Sequence, residues 1–324
     1  MTPLRIILGT TASGKERLAL ACARLVGGEI ISVDSMKVYR GLDVATAKAG
    51  RREREEVPHY CLDLVESSET FSAADFVRAA ESAIADIRAR GRVPILSGGT
   101  AFYYKALLEG LFEGPGADLE LRTALTERAE REGSAALHRE LAERDPSAAG
   151  KIHPSDLRRI VRALEVAELT GRGISTRQTQ WEGFHLESPE ERVAGYFAKP
   201  RHPFAMFRIV RDREDVRRRV KERIDRMAES GLEAEARMVW ENRERISRTP
   251  LQAVGYKEFF PYFDGACSWE AALEKLRLGT NRLVRSQDTW FRKFPAREVF
   301  MEADADVEET AAQLVESGFG ADGP

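Results

Sequence analysis

The chain has 324 residues, 43% hydrophobic and 32% charged, the balance of an ordinary soluble globular protein long enough for a large α/β domain with an inserted or appended subdomain. No stretch approaches the roughly 18 apolar residues of a membrane span, and the amino-terminal apolar run is only Ile6-Ile7-Leu8, too short for a signal segment, so the expectation is a cytoplasmic protein. Cys22, Cys61 and Cys267 are widely separated and form no Cys-x-x-Cys pair, which argues against a disulfide framework and a zinc site.

The net charge of −3 is unevenly spread: residues 301–324 hold seven acids and no base, and without them the rest is net positive. Between Lys199 and Arg226 eleven Lys/Arg face five Asp/Glu. Such a stretch can be a solvated helix face or a surface for a polyanion.

In chain order, Leu4–Leu8 reads as a short buried strand, followed by a glycine-bearing turn and a helical pattern over Lys15–Val26. A second β-rich run covers 29–33, the segment 34–48 has no clean period, and 61–65 reads as a further short strand. A helix is predicted over 71–90 with Ser72 as its N-cap, then a buried strand over 93–97 that ends in Gly98-Gly99. Strands alternating with helices of this length predict a parallel sheet covered on both faces, with its chemistry at the carboxyl ends of the strands. After Gly114-Pro115-Gly116 the region 118–170 is almost entirely helical in pattern, an inserted subdomain. Two runs, 192–197 and 205–210, return the chain to the sheet, and helices follow over about 213–230, 232–246, 253–263 and 268–294. The expected division is a first core part over 1–112, a helical insertion over 113–195, core completion over 196–302 and a flexible acidic tail over 303–324.

The strongest motif is Gly9-Thr10-Thr11-Ala12-Ser13-Gly14-Lys15 between a strand and a helix. Its glycines let backbone N–H groups wrap phosphates, the helix N-terminus adds positive potential, and Lys15 supplies a point charge. The next residue is Glu16, where such loops carry Ser or Thr to ligate magnesium. Three outcomes stand open: a bare carboxylate repels a bound diphosphate by about 4 kcal/mol at 4 Å; it ligates magnesium; or it swings into solvent.

The following segment, Asp34-Ser35-Met36-Lys37-Val38-Tyr39-Arg40-Gly41-Leu42-Asp43-Val44-Ala45-Thr46-Ala47-Lys48, resembles the one that tRNA dimethylallyltransferases and the related adenylate isopentenyltransferases carry after their phosphate loop. Further matches follow in order: Val57-Pro58-His59-Tyr60, Phe71-Ser72-x-x-Asp75-Phe76, Pro94-Ile95-Leu96-Ser97-Gly98-Gly99-Thr100-Ala101-Phe102-Tyr103 and Arg159-Ile160-Val161-Arg162-Ala163-Leu164-Glu165-Val166. Met227-x3-Gly231-Leu232-x2-Glu235, Gln252-Ala253-Val254-Gly255-Tyr256-Lys257-Glu258 and Gln287-x-Thr289-Trp290-Phe291 complete the series.

The resemblance implies a P-loop NTPase-like α/β fold with a helical insertion, and an enzyme that moves a dimethylallyl group from dimethylallyl diphosphate to the N6 amine of the adenosine 3′-adjacent to the anticodon. It implies Asp34 as general base, Thr100 at the diphosphate or the proton-accepting arrangement, and Lys15 with Gly9, Thr10, Thr11, Ala12, Ser13, Gly14, Glu16 and Arg219 around the diphosphate. Asp34, Ser35, Met36, Lys37, Thr100, Arg158, Arg159, Ile160, Val161 and Arg162 become candidates for contact with the tRNA anticodon stem-loop. Mg2+ is the implied cofactor, with Glu16 its one candidate protein ligand, and a monomer is the expected state. Arg219 and Thr100 also have plainer readings, a solvent-facing charge and a helix N-cap.

Besides Glu16, the chain departs from the family pattern at Lys37 for glutamine, Ala45 for glycine, Tyr60 for histidine, Arg158 for glutamine and Ser286 for arginine. Lysine donates only, so Lys37 changes what can be read on a base edge. Three alternatives therefore stand beside the transferase: a catalytically impaired tRNA-binding homologue, an adenylate isopentenyltransferase and, more remotely, a small-molecule kinase.

Overall fold

The computed structural model describes residues 3–111, 114–176, 197 and 199–319. The chain divides into two units, Met1–Leu108 with Pro189–Pro324, and Glu109–Ser188. The first unit is built on a parallel sheet of β1 (Leu4–Leu8), β2 (Gly28–Ser32), β3 (His59–Tyr60), β4 (Val93–Gly98), β5 (Phe204–Val210) and β6 (Arg297–Phe300), in the order β3-β2-β4-β1-β5-β6.

β1 and β2 are buried at every position, as expected of strands with helices on both faces. Alternate residues serve opposite faces. Leu4, Ile6, Leu8, Ile31 and Leu96 pack with Phe76, Ile84 and Tyr104 on one side, while Ile7, Ile30, Ile95 and Phe207 pack with Leu18, Cys22 and Leu314 on the other. A third core forms where Val38, Tyr39 and Leu42 meet Val220, Leu232 and Tyr256.

β4 lies between β1 and β2, so the loops following β1 and β2 flank the end of β4. Gly98 makes that junction possible: a Cβ there would stand 2.1 Å from the Val33 carbonyl oxygen.

The elements follow their local signals closely. The first helix spans Lys15–Val26, and a later one spans Ala73–Ala89 with Ser72 accepting from the Asp75 N–H as its N-cap. In the second unit, Leu119–Glu132, Ser134–Arg144, Pro146–Ala149 and Leu157–Thr170 form a helical cluster with its own core of Leu125, Leu137, Leu141, Ile160 and Leu164.

Several expectations need correction. The strand expected over 61–65 sits earlier, at His59–Tyr60, because Cys61 and Asp63 take left-handed backbone (φ 59° and 53°) and turn the chain. The helix expected over 232–246 stops at Glu241. That over 253–263 is broken into a 3-10 turn, Lys257–Phe259, and the single turn Phe260–Phe263, after Gly255 at φ 118°. The strand expected over 192–197 lies outside the described residues except for Phe197.

The acidic carboxyl-terminal segment is not a flexible tail over its described part. Val307–Leu314 is a helix whose Asp306 caps the N–H groups of Glu308 and Glu309, placing the acids at the positive end of the helix. Ala311, Leu314 and Phe319 are buried against the sheet, with the Phe319 ring tilted against that of Phe207 at 5.5 Å between centroids. Apolar spacing within the acidic run outweighs its charge.

Candidate active site

The phosphate loop joins the end of β1 to the Lys15–Val26 helix. Ala12 and Gly14 take left-handed backbone (φ 66° and 91°), which curls the loop, and a Cβ on Gly9 would stand 2.4 Å from Ser13 Oγ. Two arginines brace it from outside. Arg211 Nε donates to the Ser13 carbonyl at 2.7 Å, and Arg219 Nε donates to the Ala12 carbonyl at 3.0 Å. Arg219 thus rests on the loop rather than projecting into solvent, and an Arg219 terminal nitrogen lies 3.4 Å from where a Gly14 Cβ would be. Asp215 pairs with Arg211 at 3.0 Å.

Lys15 is buried, its Nζ 3.4 Å from the Thr10 carbonyl. Burial lowers its pKa, and neighbouring Lys37 and Arg223 add to the effect while Glu16 and Asp34 oppose it. Arg223 stands one helical turn beyond Arg219, and burial likewise lowers its pKa against the attraction of Glu16 and Asp34.

Asp34 follows the end of β2. Its Oδ1 accepts from the N–H groups of Met36 at 2.8 Å and Lys37 at 3.3 Å, a turn that reverses the chain. The Thr100 hydroxyl accepts from the Ser35 N–H at 3.1 Å, and the Thr100 N–H donates to the Val33 carbonyl at 3.2 Å. Thr100 therefore ties the loop after β4 to the one bearing Asp34.

Glu16 is not a bare carboxylate: it has a cationic partner that the sequence alone did not suggest. Its Oε1 accepts a hydrogen bond from Lys37 Nζ, with the Lys37 side chain 6% exposed and that of Glu16 43%. Partial desolvation resists ionisation of Glu16, but Lys37, joined by Lys15 and Arg223, prevails and holds its pKa at about 2. The Lys37 side chain is accordingly turned inward onto Glu16.

Sequence reasoning passed over further residues that shape the site. Gln287, inside the last matched motif, accepts from the Thr11 N–H at 2.8 Å and donates to the Gly99 carbonyl at 3.0 Å, clipping the phosphate loop to the loop after β4. Glu235 accepts from the N–H groups of Asp43, Val44 and Ala45 at 2.7, 2.8 and 2.9 Å and from the Tyr256 hydroxyl at 2.9 Å, anchoring the irregular 34–48 segment. Lys48 closes that segment onto the Tyr39 carbonyl at 2.6 Å and Asp63 at 2.7 Å. The i, i+4 spacing of Arg219 and Arg223 was the one local signal for Arg223.

In the helical unit, Arg158 and Arg159 are exposed, but Ile160 and Val161 are buried in its core, so those two side chains are corrected from RNA contacts to packing residues. Arg162 and Arg122 both pair with the fully buried Glu165, Arg162 also donating to the Pro115 carbonyl at 2.9 Å.

A braced glycine loop at the end of β1, facing a carboxylate held after β2, places the chain among the phosphate-loop α/β proteins. The comparisons narrow this. The model of the family described as IPP transferase matches residues 37–294. A tRNA dimethylallyltransferase of Geobacter sulfurreducens is 41% identical over 91% of this chain and 90% of its own length. One from Thiobacillus denitrificans is 41% identical over 99% and 98%. Among solved structures, the tRNA isopentenylpyrophosphate transferase of Bacillus halodurans aligns with a TM-score of 0.68 at 34% identity, covering 98% of this chain and 95% of that one. A eukaryotic dimethylallyltransferase acting on tRNA aligns with a TM-score of 0.76 at 25% identity, over 97% and 78%. The chain belongs to the IPP transferase family and is an enzyme of that class.

Proposed function

We propose that the protein transfers the dimethylallyl group of dimethylallyl diphosphate to the N6 amine of the adenosine 3′-adjacent to the anticodon of tRNA, releasing diphosphate. The observation that carries this reading is the joining of three loops at neighbouring strand ends: Thr100 ties the loop bearing Asp34 to the loop after β4, and Gln287 clips that loop to the phosphate loop of Lys15.

In this reaction the bond between the allylic carbon and the bridging diphosphate oxygen breaks, a bond from N6 to that carbon forms, and one N6 proton leaves. Negative charge grows on the departing diphosphate. The loop amides, Lys15 and Arg219 are fixed before reaction, so they stabilise that charge with little reorganisation. The adenine amine is a weak nucleophile, and the Asp34 carboxylate takes its proton. Two backbone N–H groups on Oδ1 hold that carboxylate in place, and Thr100 keeps its loop against the end of β4. The target base leaves its stack to reach the site. Ser35 and Met36 flank the base position, and exposed Arg158 and Arg159 suit salt-dependent contacts to RNA phosphates.

Magnesium fits as an ion that arrives with the diphosphate. It takes one or two protein oxygens along with substrate phosphates and water. The described residues contain no cluster of three or more His, Cys, Asp or Glu for a metal, but Glu16, with one carboxylate oxygen on Lys37 and its side chain 43% exposed, has its second oxygen to offer at the loop. Bound there, the ion would neutralise charge on the leaving group. We take the working unit to be one chain on one anticodon stem-loop, and the protein to act in the cytoplasm. None of the described helices is long and apolar enough to cross a membrane.

The test is incubation with magnesium, labelled dimethylallyl diphosphate and an unmodified tRNA bearing adenosine after its anticodon. Label is expected in the RNA and lost with Asp34→Ala. Label in adenosine monophosphate but not in tRNA would reassign the acceptor, and salt-sensitive tRNA binding without transfer would leave a non-catalytic binder.

A further inference from the structure

Glu16 raises an electrostatic difficulty. It lies in the first turn of the Lys15–Val26 helix, where the helix N-terminus welcomes an acid. It also lies where the phosphate loop must accept a polyanion, and a bare carboxylate there repels one. The structure meets the difficulty with a residue 21 positions away. The Asp34 turn fixes the backbone of Lys37, and the nearly buried Lys37 side chain reaches back to Glu16 Oε1. A buried ammonium is stable when paired, and here its partner is the one acid of the loop. Lys15, Lys37 and Arg223 stand near Glu16 and Asp34, and loss of Lys37 alone removes one positive charge from this group and leaves Glu16 without its hydrogen-bonded cation.

We propose that Glu16 and Lys37 act as one unit in which Lys37 is the fixed counter-ion that lets a phosphate loop with a carboxylate after its lysine still accept diphosphate. Lys37 is then a positioning residue for the isoprenoid diphosphate and does not read the tRNA base; this rests on the transferase reading above. The chain's two departures at Glu16 and Lys37 are one compensated change: each restores the charge balance the other disturbs.

The test is a double-mutant cycle with Lys37→Met, which keeps the buried stem, Glu16→Ser, and both together. Binding of inorganic diphosphate with magnesium is measured by calorimetry, KM for dimethylallyl diphosphate and for tRNA by steady-state transfer, and folding by thermal melting. Lys37→Met is expected to weaken diphosphate binding and raise the donor KM by about tenfold or more, from an unmatched charge near the phosphates. The double variant is expected to recover most of that loss, and KM for tRNA to stay level throughout. If Lys37→Met melts at the assay temperature, Lys37→Arg, which keeps the charge, replaces it and is expected to hold diphosphate affinity. A double variant as weak as Lys37→Met, or a Lys37 variant that raises the tRNA KM with diphosphate binding intact, overturns the proposal. Diphosphate binding that follows the predicted cycle without transfer to any RNA would sink the transferase reading and leave the pairing standing.

Discussion

Replacing Gln287 with leucine removes the clip between the phosphate loop and the end of β4 while keeping an apolar stem of similar size. Two hydrogen bonds are lost, one from the Thr11 N–H at 2.8 Å and one to the Gly99 carbonyl at 3.0 Å. Gly99 is buried and Thr11 half-buried, so each stranded backbone group costs about 1–3 kcal/mol, less where water reaches it. Roughly 2–4 kcal/mol follows for the pair. Because the groups belong to the diphosphate loop and to the loop of Thr100, much of that loss should appear in catalysis, as a fall in kcat/KM for dimethylallyl diphosphate of about tenfold to a thousandfold. Gln287→Glu separates the two contacts. Its carboxylate can still accept from Thr11 but sets an oxygen against the Gly99 carbonyl and adds negative charge beside the phosphates, so it should be worse than leucine. Steady-state kinetics with the donor varied at saturating tRNA, alongside urea denaturation, reads both effects. Wild-type kcat/KM and stability in Gln287→Leu would falsify the assignment of Gln287 as the clip.

Phe319→Ala should lower stability to urea by about 3–5 kcal/mol, because Phe319 is fully buried against Phe207, and an unchanged unfolding midpoint would mean that the terminal segment is not docked in solution. Alkylation at pH 8 should label Cys267 first in the native protein: burial pushes the thiols of Cys22 and Cys61 up to about 12, whereas Cys267 is partly exposed, and equal labelling of all three would contradict the packing. Glu16 has a depressed folded pKa, about 2 against the ordinary 4.5, so its stabilising contribution is present above about pH 4.5 and is lost as pH falls toward 2. Glu16→Gln should therefore flatten the acid limb of the stability curve between those values, and an unaltered limb would count against the Lys37 pairing.

Local chemistry was readable from the chain. Gly9 to Lys15 between an apolar run and a helical period, Ser72 ahead of Asp75, and the apolar periods of the helical unit each depend on neighbours a few residues apart, and the structure places them where the pattern does. The ordered motifs, from Asp34 to Gln287, carried the family as well. What folding alone decided are partners chosen across the sheet. β4 enters between β1 and β2, so the loop after β4 meets the loop after β2, and Thr100 finds the Ser35 N–H. Gln287 reaches Thr11 across 276 positions, and Lys37 reaches Glu16 across 21. A lone Glu16 reads as a defect and a lone Lys37 as a changed base contact, because each charge has meaning only with its partner in place. The acidic terminus follows the same rule: its charge suggested a solvated tail, but burial of Ala311, Leu314 and Phe319 depends on the apolar sheet face that β1, β4 and β5 assemble. Covalent neighbours fix secondary structure and the phosphate loop, whereas the electrostatics of this site come from side chains that only the strand order brings together.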